Sequence, residues 1–217
     1  MLICVNVEKL RLFGRGDLPR NLIFDFGGVV VPLTPEVAYE RFEQLGLKDA
    51  RQRLGRYGHS GIFRWCEDGS LDAEGFVQAL SDLVTDQNGG VKTQLTFGQC
   101  QWAWRGYVTQ VDLKRLNMLL ELKKEHRVML LSNTNPFMTA WAESKDFSGD
   151  GHGLCHYFDQ VYYSYQLHDY KPSPTIFQKV LSEANVKAED CLFLDDSQAN
   201  VDAAIALGFQ GILVPEI

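Results

Sequence analysis

The residues of this 217-residue chain that could do chemistry are carboxylates, a hydroxyl, an amide and an ammonium, and most of them end or follow short apolar segments. They are Asp25, Ser132, Asn133, Lys171, Asp195 and Asp196. Carboxylates hold a hard cation such as magnesium, whereas hydroxyl, amide and ammonium groups satisfy phosphoryl oxygens. If the apolar segments are parallel strands, their carboxyl ends meet at one edge of a sheet. The set then predicts a site for a divalent cation and a phosphate.

Five short apolar segments predict the strands that would position these residues. Continuous apolarity is typical of strands buried on both faces, and the segments are 22–26, 128–131, 160–163, 191–194 and 211–214. The clearest helical patterns beside them are 111–125, 174–184 and 198–207. In the helix at 174–184, Pro174 suits the first turn and Ser173 is expected to cap it. Strands that alternate with helices predict an α/β fold with a doubly wound parallel sheet.

The stretch 35–108 breaks this alternation. It has helical patterns at 36–46 and 72–84 and a glycine-containing loop at 55–61, but no convincing buried strand. We therefore predict a helical insertion at 35–108 after the first strand, with the α/β core formed by 21–34 and 109–217. Residues 1–20 have no clear structural period and are expected to be an N-terminal extension.

Charge and composition exclude several classes of partner. With 21 Lys and Arg against 28 Asp and Glu, the net charge is −7, and no basic run interleaves with aromatic residues. Binding to nucleic acid or to an acidic membrane surface is therefore not expected. No apolar run approaches the roughly 20 residues of a membrane span, which makes a cytoplasmic protein the default expectation. The five cysteines lack a CxxC pair and are expected to be reduced, three of them packed as small apolar residues.

Four sequence blocks resemble, in order and at fitting spacing, the motifs of the haloacid dehalogenase-like (HAD) hydrolase superfamily. They are LIFDFGGVV (22–30), LLSNTN (130–135), YKPSPTIF (170–177) and FLDDSQANVDAA (193–204). Their details are most similar to the branch with α-D-glucose-1-phosphatase and the phosphatase domain of soluble epoxide hydrolase. The resemblance implies a Rossmann-like core with an α-helical cap domain at 35–108.

The resemblance also implies a magnesium-dependent phosphomonoester hydrolase that acts on a small phosphorylated metabolite, in the first place a sugar phosphate. Asp25 would be the nucleophile and would form an aspartyl-phosphate. Mg²⁺ would bridge Asp25 and the phosphate, held further by the carbonyl of Gly27 and by Asp196. Asp195 would bind the metal through water or orient its neighbour.

The remaining roles that the resemblance implies belong to substrate binding. Ser132 and the amide of Asn133 would hold a phosphoryl oxygen, and Lys171 would neutralise both the nucleophile and the transferring group. Asn200 would support the outer shell of the metal. Four cap residues fall where this family sets specificity, although the sequence does not say which point inward: Phe63, Arg64, Trp65 and Glu67.

One position departs from the family pattern. The usual motif is Asp-x-Asp, whose second Asp protonates the leaving oxygen, whereas this chain has Gly27 there. Loss of a general acid typically removes about 10²–10⁴-fold of rate. Acidic leaving groups would suffer least, so sugar 1-phosphates and aryl phosphates are expected to react faster than primary-alkyl phosphates. If Gly27 has a positive φ, a side chain there would cost about 1 kcal/mol or more and could displace the carbonyl.

Two alternatives stay open at this point. The first is a degenerate family member that binds a phosphometabolite or a partner without turnover, which only Gly27 favours. The second is a 2-haloacid dehalogenase, which the acidic pair Asp195 and Asp196 disfavours, because dehalogenases of this family carry uncharged residues there.

The histidines and two tryptophans are interpreted as structural. We expect Trp102 and Trp104 to pack within the cap. The histidines lack metal-binding spacing and are expected at the surface or in loops: His59, His126, His152, His156 and His168.

Overall fold

The computed structural model describes residues 18–55 and 59–215. Within them lies a single parallel sheet whose strands are β1 (Asn21–Phe24), β2 (Arg127–Ser132), β3 (Gln160–Tyr163), β4 (Cys191–Asp195) and β5 (Gln210–Leu213). Their order across the sheet is β3-β2-β1-β4-β5, and every neighbouring pair is parallel. The predicted doubly wound parallel sheet is therefore confirmed, with strand bounds that differ by one or two residues at most.

The described helices lie on the chain in the following order. They are α1 (Pro35–Gln44), α2 (Ala50–Arg53), α3 (Ile62–Glu67), α4 (Ala73–Gln87), α5 (Phe97–Trp104), α6 (Leu113–Leu122), α7 (Pro136–Ala142), α8 (Ser164–Leu167), α9 (Pro174–Ala184) and α10 (Gln198–Ala206). Short 3-10 turns occupy Arg105–Tyr107, Leu154–Tyr157 and Ala188–Asp190.

Helix α9 has the predicted bounds, but one detail of its start is different. Its buried face carries Ile176, Phe177 and Val180, as the sequence pattern indicates. Ser173 stands at the N-cap, yet its side chain makes no capping hydrogen bond. Its hydroxyl instead lies 2.9 Å from that of Thr175. The expected Ser173 cap is therefore wrong, and Pro174 at the first turn is the start signal that remains.

The regular elements in the described part of 35–108 are helices and one 3-10 turn. Aromatic rings at its centre pack edge to face, with Phe42 at 5.2 Å from Phe63 and at 5.5 Å from Trp104. The hydrophobic cluster around these rings continues to Leu22 and Phe24 of the sheet. Because the two parts share one apolar cluster, the division into a core and a cap domain stays a prediction.

The two ends of the stretch 35–108 are hydrogen-bonded to each other. The backbone N–H of Thr34 donates to the carbonyl of Tyr107 over 2.8 Å, and the Thr34 hydroxyl donates to the carbonyl of Gly106 over 2.8 Å. A Cβ at Gly106 would lie 2.5 Å from the backbone of Ala38, so only glycine permits this approach. These contacts hold the beginning and the end of the helical stretch side by side.

Several smaller expectations have clear outcomes. Cys66, Cys100 and Cys191 are buried and free, as expected, and Cys155 is free and exposed. Trp104 is buried, whereas Trp102 is 40% exposed and its ring lies 5.1 Å from the guanidinium carbon of Arg41 in α1. None of the described helices has the length and apolarity needed to cross a membrane. The predicted extension at 1–20 lies almost entirely outside the described residues.

Candidate active site

Asp25 directly follows β1 at the carboxyl edge of the sheet. Its backbone N–H donates to the carbonyl of Leu194 over 2.8 Å, which continues the pairing of β1 with β4 by one residue. Its side chain is 13% exposed and lines a cavity. The strand therefore fixes the main chain of Asp25 while its carboxylate stays accessible.

A tight turn after Asp25 depends on glycine at one position. The N–H of Gly28 donates to the carbonyl of Val31 over 2.7 Å, and Gly28 has φ 77°. A Cβ at Gly28 would lie 2.0 Å from Oδ2 of Asp196. Only glycine therefore lets the backbone come this close to the Asp196 carboxylate.

Gly27 is limited by a neighbour and not by its backbone. Among the described glycines, Gly28 has a positive φ and Gly27 does not. A Cβ at Gly27 would lie 2.8 Å from Cδ2 of Leu33, a separation at which one of the two must shift. The concern about positive φ at Gly27 is therefore wrong, and Leu33 fills the space that a side chain at position 27 would need.

Lys171 lies at the centre of the charged cluster. It is 1% exposed, and its Nζ pairs with Asp25 Oδ1 at 2.8 Å, donates to Asp195 Oδ2 over 2.7 Å and donates to the carbonyl of Leu131 over 2.9 Å. These three acceptors use all three ammonium protons. Burial alone would lower the pKa of Lys171, but the carboxylates of Asp195 and Asp25 outweigh it and raise the pKa. Lys171 is therefore held charged.

The pKa of Asp25 is raised in the absence of a cation. Burial is the largest cause, Lys171 opposes it, and the negative charges of Asp195 and Asp196 raise the pKa further. A cation between these carboxylates would reverse the last effect.

Asp195 and Asp196 have different surroundings although they are adjacent. Asp195 is fully buried, and its oxygens accept from Lys171 Nζ, from the N–H of Ser197 over 2.8 Å and from Asn200 Nδ2 over 3.0 and 3.1 Å. Asp196 lines the cavity beside Gly28. Asp195 thus holds Lys171 and Asn200 in place, whereas Asp196 faces the space beside Asp25.

The three carboxylates lie close together around one possible cation site. Asp25, Asp195 and Asp196 each offer an oxygen, and the three oxygens lie within 4.8 Å of one another. Carboxylate oxygens at this spacing are the ligands that a hard divalent ion such as Mg²⁺ prefers. The donor set therefore fits the predicted metal.

Ser132 and Asn133 lie at the end of β2, and both line the cavity. The side-chain amide of Asn133 forms a pair of hydrogen bonds with the backbone of Lys171, donating to its carbonyl over 3.0 Å and accepting from its N–H over 2.9 Å. The Asn133 side chain thus positions the lysine loop, a role that the sequence did not indicate.

The cavity above this edge has about 720 Å³ of empty space, part of it open to solvent. The helical stretch 35–108 contributes four residues to its wall, namely His59, Glu67, Trp104 and Tyr107. His59 does lie in a loop, as predicted, but its side chain is only 6% exposed. No spacing signal in the sequence marks it as part of the site.

The four cap residues singled out from the resemblance have different positions. Glu67 is 5% exposed and lines the cavity, whereas Trp65 is 51% exposed. Phe63 is fully buried among the cap aromatics. The guanidinium of Arg64 lies 3.5 Å above the ring of Tyr170. Only Glu67 of the four therefore forms part of the cavity wall.

The family model of haloacid dehalogenase-like hydrolases matches residues 19–208. The chain therefore belongs to this hydrolase family. Among curated proteins, it is 41% identical over 191 residues to D-ribitol-5-phosphate phosphatase of Bacteroides thetaiotaomicron, with 88% of this chain and 89% of that protein covered.

Two solved structures are similar over nearly the whole chain. A HAD-like family hydrolase from Porphyromonas gingivalis is 33% identical with a TM-score of 0.84, and 92% of each chain is covered. A HAD family enzyme from Bacteroides thetaiotaomicron, in complex with magnesium and inorganic phosphate, is 27% identical with a TM-score of 0.73, covering 89% of this chain and 93% of that one. The narrower likeness to the glucose-1-phosphatase branch stays a prediction.

Proposed function

We propose that the chain is a magnesium-dependent phosphatase that hydrolyses the phosphate monoester of a small sugar or sugar alcohol. The observation that carries the proposal is the position of Lys171, whose buried ammonium joins Asp25 to Asp195 at the edge of an accessible cavity. The 41% identical relative named D-ribitol-5-phosphate phosphatase supports the substrate class.

In this proposal, Asp25 is the nucleophile. Its carboxylate attacks phosphorus, the bond to the leaving oxygen breaks, and an aspartyl-phosphate forms that water then hydrolyses. Lys171 orients Asp25 through the 2.8 Å contact and places positive charge beside the transferring phosphoryl group. The Ser132 hydroxyl and the backbone N–H of Asn133 hold phosphoryl oxygens, since the Asn133 side chain is committed to Lys171.

The metal ligands in this proposal are Asp25, Asp196 and the carbonyl of Gly27. Magnesium supplies positive charge that offsets the carboxylates and the phosphate when it is bound. Asp195 takes a positioning role, because its oxygens already accept hydrogen bonds from Lys171 and Asn200. Residues 35–108 act as the cap that closes the cavity from above.

The degenerate binding protein remains a second candidate, since Leu33 fills the space beside Gly27 that the usual acid would occupy. It predicts that phosphorylated metabolites bind without release of phosphate. The dehalogenase alternative is disfavoured by the cluster of three carboxylates.

Measurement of phosphate release from a panel of phosphorylated sugars, sugar alcohols and 4-nitrophenyl phosphate, with magnesium and with chelator, tests the proposal. We expect magnesium-dependent turnover that Asp25→Asn abolishes, because an amide is a poor nucleophile. Thermal unfolding of the variant confirms that it is folded. Turnover by a folded Asp25→Asn protein would remove Asp25 from the mechanism, and binding without any turnover would favour the degenerate protein.

A further inference from the structure

Three residues in the cavity wall each have a buried polar atom that finds no hydrogen-bond partner among residues 18–55 and 59–215. The atoms are Oε2 of Glu67, Nε1 of Trp104 and Nδ2 of Asn135. All three residues line the cavity that contains Asp25, and they are 5%, 1% and 0% exposed. Buried polar groups in native proteins nearly always have partners, so a group of exceptions on one cavity indicates where a ligand completes them.

Glu67 is held so that one of its oxygens is left over. Oε1 lies 3.4 Å from Nε2 of His59, and Nδ1 of His59 accepts from the N–H of Gly55 over 3.2 Å. Since Nδ1 accepts, a neutral His59 has its proton on Nε2 and can direct it at Glu67. Both ring nitrogens of His59 are thus engaged within the protein. The Tyr170 hydroxyl also interacts with the Glu67 carboxylate, and Oε2 is the oxygen that has no partner within hydrogen-bond distance and remains for a ligand.

The main chain of Glu67 is tied to the phosphate-binding side of the cavity. Ser164 is fully buried. Its hydroxyl donates a hydrogen bond to the carbonyl oxygen of Glu67 over 2.6 Å and accepts one from the N–H of Thr134 over 2.9 Å. Thr134 follows Ser132 and Asn133 on the same loop. The position of the Glu67 carboxylate is therefore fixed relative to the phosphoryl site.

The other two unpartnered atoms, on Trp104 and Asn135, are hydrogen-bond donors whose side chains are held in place by their neighbours. Trp104 is packed among Phe42, Phe63 and Phe76 of the cap. Asn135 is the N-cap of α7, where its Oδ1 accepts from two backbone N–H groups and leaves the amide NH₂ without a partner. An indole N–H and an amide NH₂ donate only, and an ionised carboxylate accepts only.

We propose that Glu67, Trp104 and Asn135 form a subsite that binds the hydroxyl groups of an uncharged polyhydroxylated chain, a proposal that rests on the phosphatase function. A hydroxyl donates one hydrogen bond and accepts others, so neighbouring hydroxyls can satisfy one acceptor and two donors together. A substrate with a second anionic group would be repelled by Glu67, so phosphorylated hydroxy acids are excluded.

The test compares D-ribitol 5-phosphate with pentyl phosphate, which has the same chain length and no hydroxyl groups, and with 4-nitrophenyl phosphate. The variants are Glu67→Gln and Trp104→Phe, and the matched controls are Glu40→Gln, at an exposed position of the same cap, and Trp65→Phe. We expect Glu67→Gln to lower kcat/KM for D-ribitol 5-phosphate by about 10- to 100-fold, the usual range for a hydrogen bond to a charged group. Trp104→Phe is expected to lower it by about 3- to 10-fold.

Pentyl phosphate distinguishes recognition from proton donation. We expect the controls Glu40→Gln and Trp65→Phe to leave the rates for all three substrates within about twofold of the unmutated protein. Glu67→Gln and Trp104→Phe are expected to lower kcat/KM more for D-ribitol 5-phosphate than for pentyl phosphate or 4-nitrophenyl phosphate, because the last two have no hydroxyl for the subsite to bind. If Glu67→Gln slows pentyl phosphate as much as D-ribitol 5-phosphate, Glu67 donates a proton and the proposal is overturned. Equal kcat/KM for the two substrates in the unmutated protein would overturn it as well.

Stability separates the subsite from a structural role. A buried carboxylate oxygen without a partner costs folding free energy, so Glu67→Gln is expected to leave the melting temperature unchanged or to raise it. If the unmutated protein hydrolyses no substrate, the phosphatase proposal has failed, and calorimetric titration with D-ribitol 5-phosphate and pentyl phosphate then tests the subsite alone. Equal affinity for the two would overturn the subsite in that case.

Discussion

Restoring an acidic residue at position 27 is expected to succeed better when Leu33 is made smaller. The structure gives 2.8 Å between a Cβ at Gly27 and Cδ2 of Leu33, well inside van der Waals contact. Overpacking in a packed core typically costs about 1–3 kcal/mol. Because the colliding atom is the end of a half-buried leucine side chain that can move, Gly27→Asp alone should lose stability at the lower end of that range, and displacement of the turn that presents the Gly27 carbonyl should lower activity.

Leu33→Ala removes the colliding atoms. In a double-mutant cycle of Gly27→Asp and Leu33→Ala, we expect a favourable coupling free energy of about 1–2 kcal/mol, within the range measured for residues in contact. Urea unfolding of the unmutated protein, the two single variants and the double variant measures this value. Gly27→Ala with and without Leu33→Ala is the matched control, since it adds the Cβ without the acid.

The same variants report on the missing acid. Pentyl phosphate has a poor leaving group and needs protonation, whereas 4-nitrophenyl phosphate does not. We expect the double Asp variant to exceed the double Ala variant by about 10²-fold in kcat/KM for pentyl phosphate, and by little for 4-nitrophenyl phosphate. If the unmutated protein already cleaves the two at rates within about threefold, another group supplies the proton and the reasoning from Gly27 is wrong. A coupling free energy near zero would refute the steric part.

Two further predictions concern charge. Lys171→Met keeps the length of the side chain and removes the ammonium between Asp25 and Asp195. We expect it to lower the free energy of unfolding, measured in urea, by about 3–5 kcal/mol. We also expect it to abolish turnover, measured as phosphate release. Unchanged stability would show that the buried pairs contribute nothing. Magnesium at about 100 times its dissociation constant is expected to stabilise the folded protein by about 2.7 kcal/mol in thermal unfolding. Asp196→Ala is expected to remove this stabilisation, whereas Asp202→Ala, at an exposed position, is the control that should keep it. A magnesium effect that survives in Asp196→Ala would exclude Asp196 as a ligand.

The sequence predicts the strands and the charged cluster because both depend on local signals. Each strand is a run of apolar residues that ends in a polar one, and the parallel topology then brings the ends together. Asp25, Ser132 and Asp195 could therefore be assigned to one edge without any knowledge of contacts. Helix α5 was missed although its signal is local, since Thr96 and Gln99 form a capping box at its start.

Other parts of the site depend on contacts between distant segments. Glu67 meets His59 through a loop whose path the sequence does not determine, and Asn133 meets the backbone of Lys171 across 38 residues. The adjacent glycines are equally ambiguous in sequence. Only the three-dimensional structure distinguishes them. Gly28 has a positive φ, whereas a side chain at position 27 would meet the side chain of Leu33.

The charges of the site explain why one carboxylate is committed to lysine. Asp25, Asp195 and Asp196 with the ammonium of Lys171 sum to −2 when all are ionised, and a phosphate dianion would be repelled by that charge. One Mg²⁺ offsets it, but only if Lys171 does not compete for the same oxygens. Asp195 pairs with Lys171 at 2.7 Å and accepts a hydrogen bond from Asn200. Asp196, which lines the cavity, is therefore the carboxylate beside Asp25 that does not pair with Lys171. In the proposed function, Asp195 thus separates the side of the cluster that holds Lys171 from the side that would hold Mg²⁺, and Asp25 borders both.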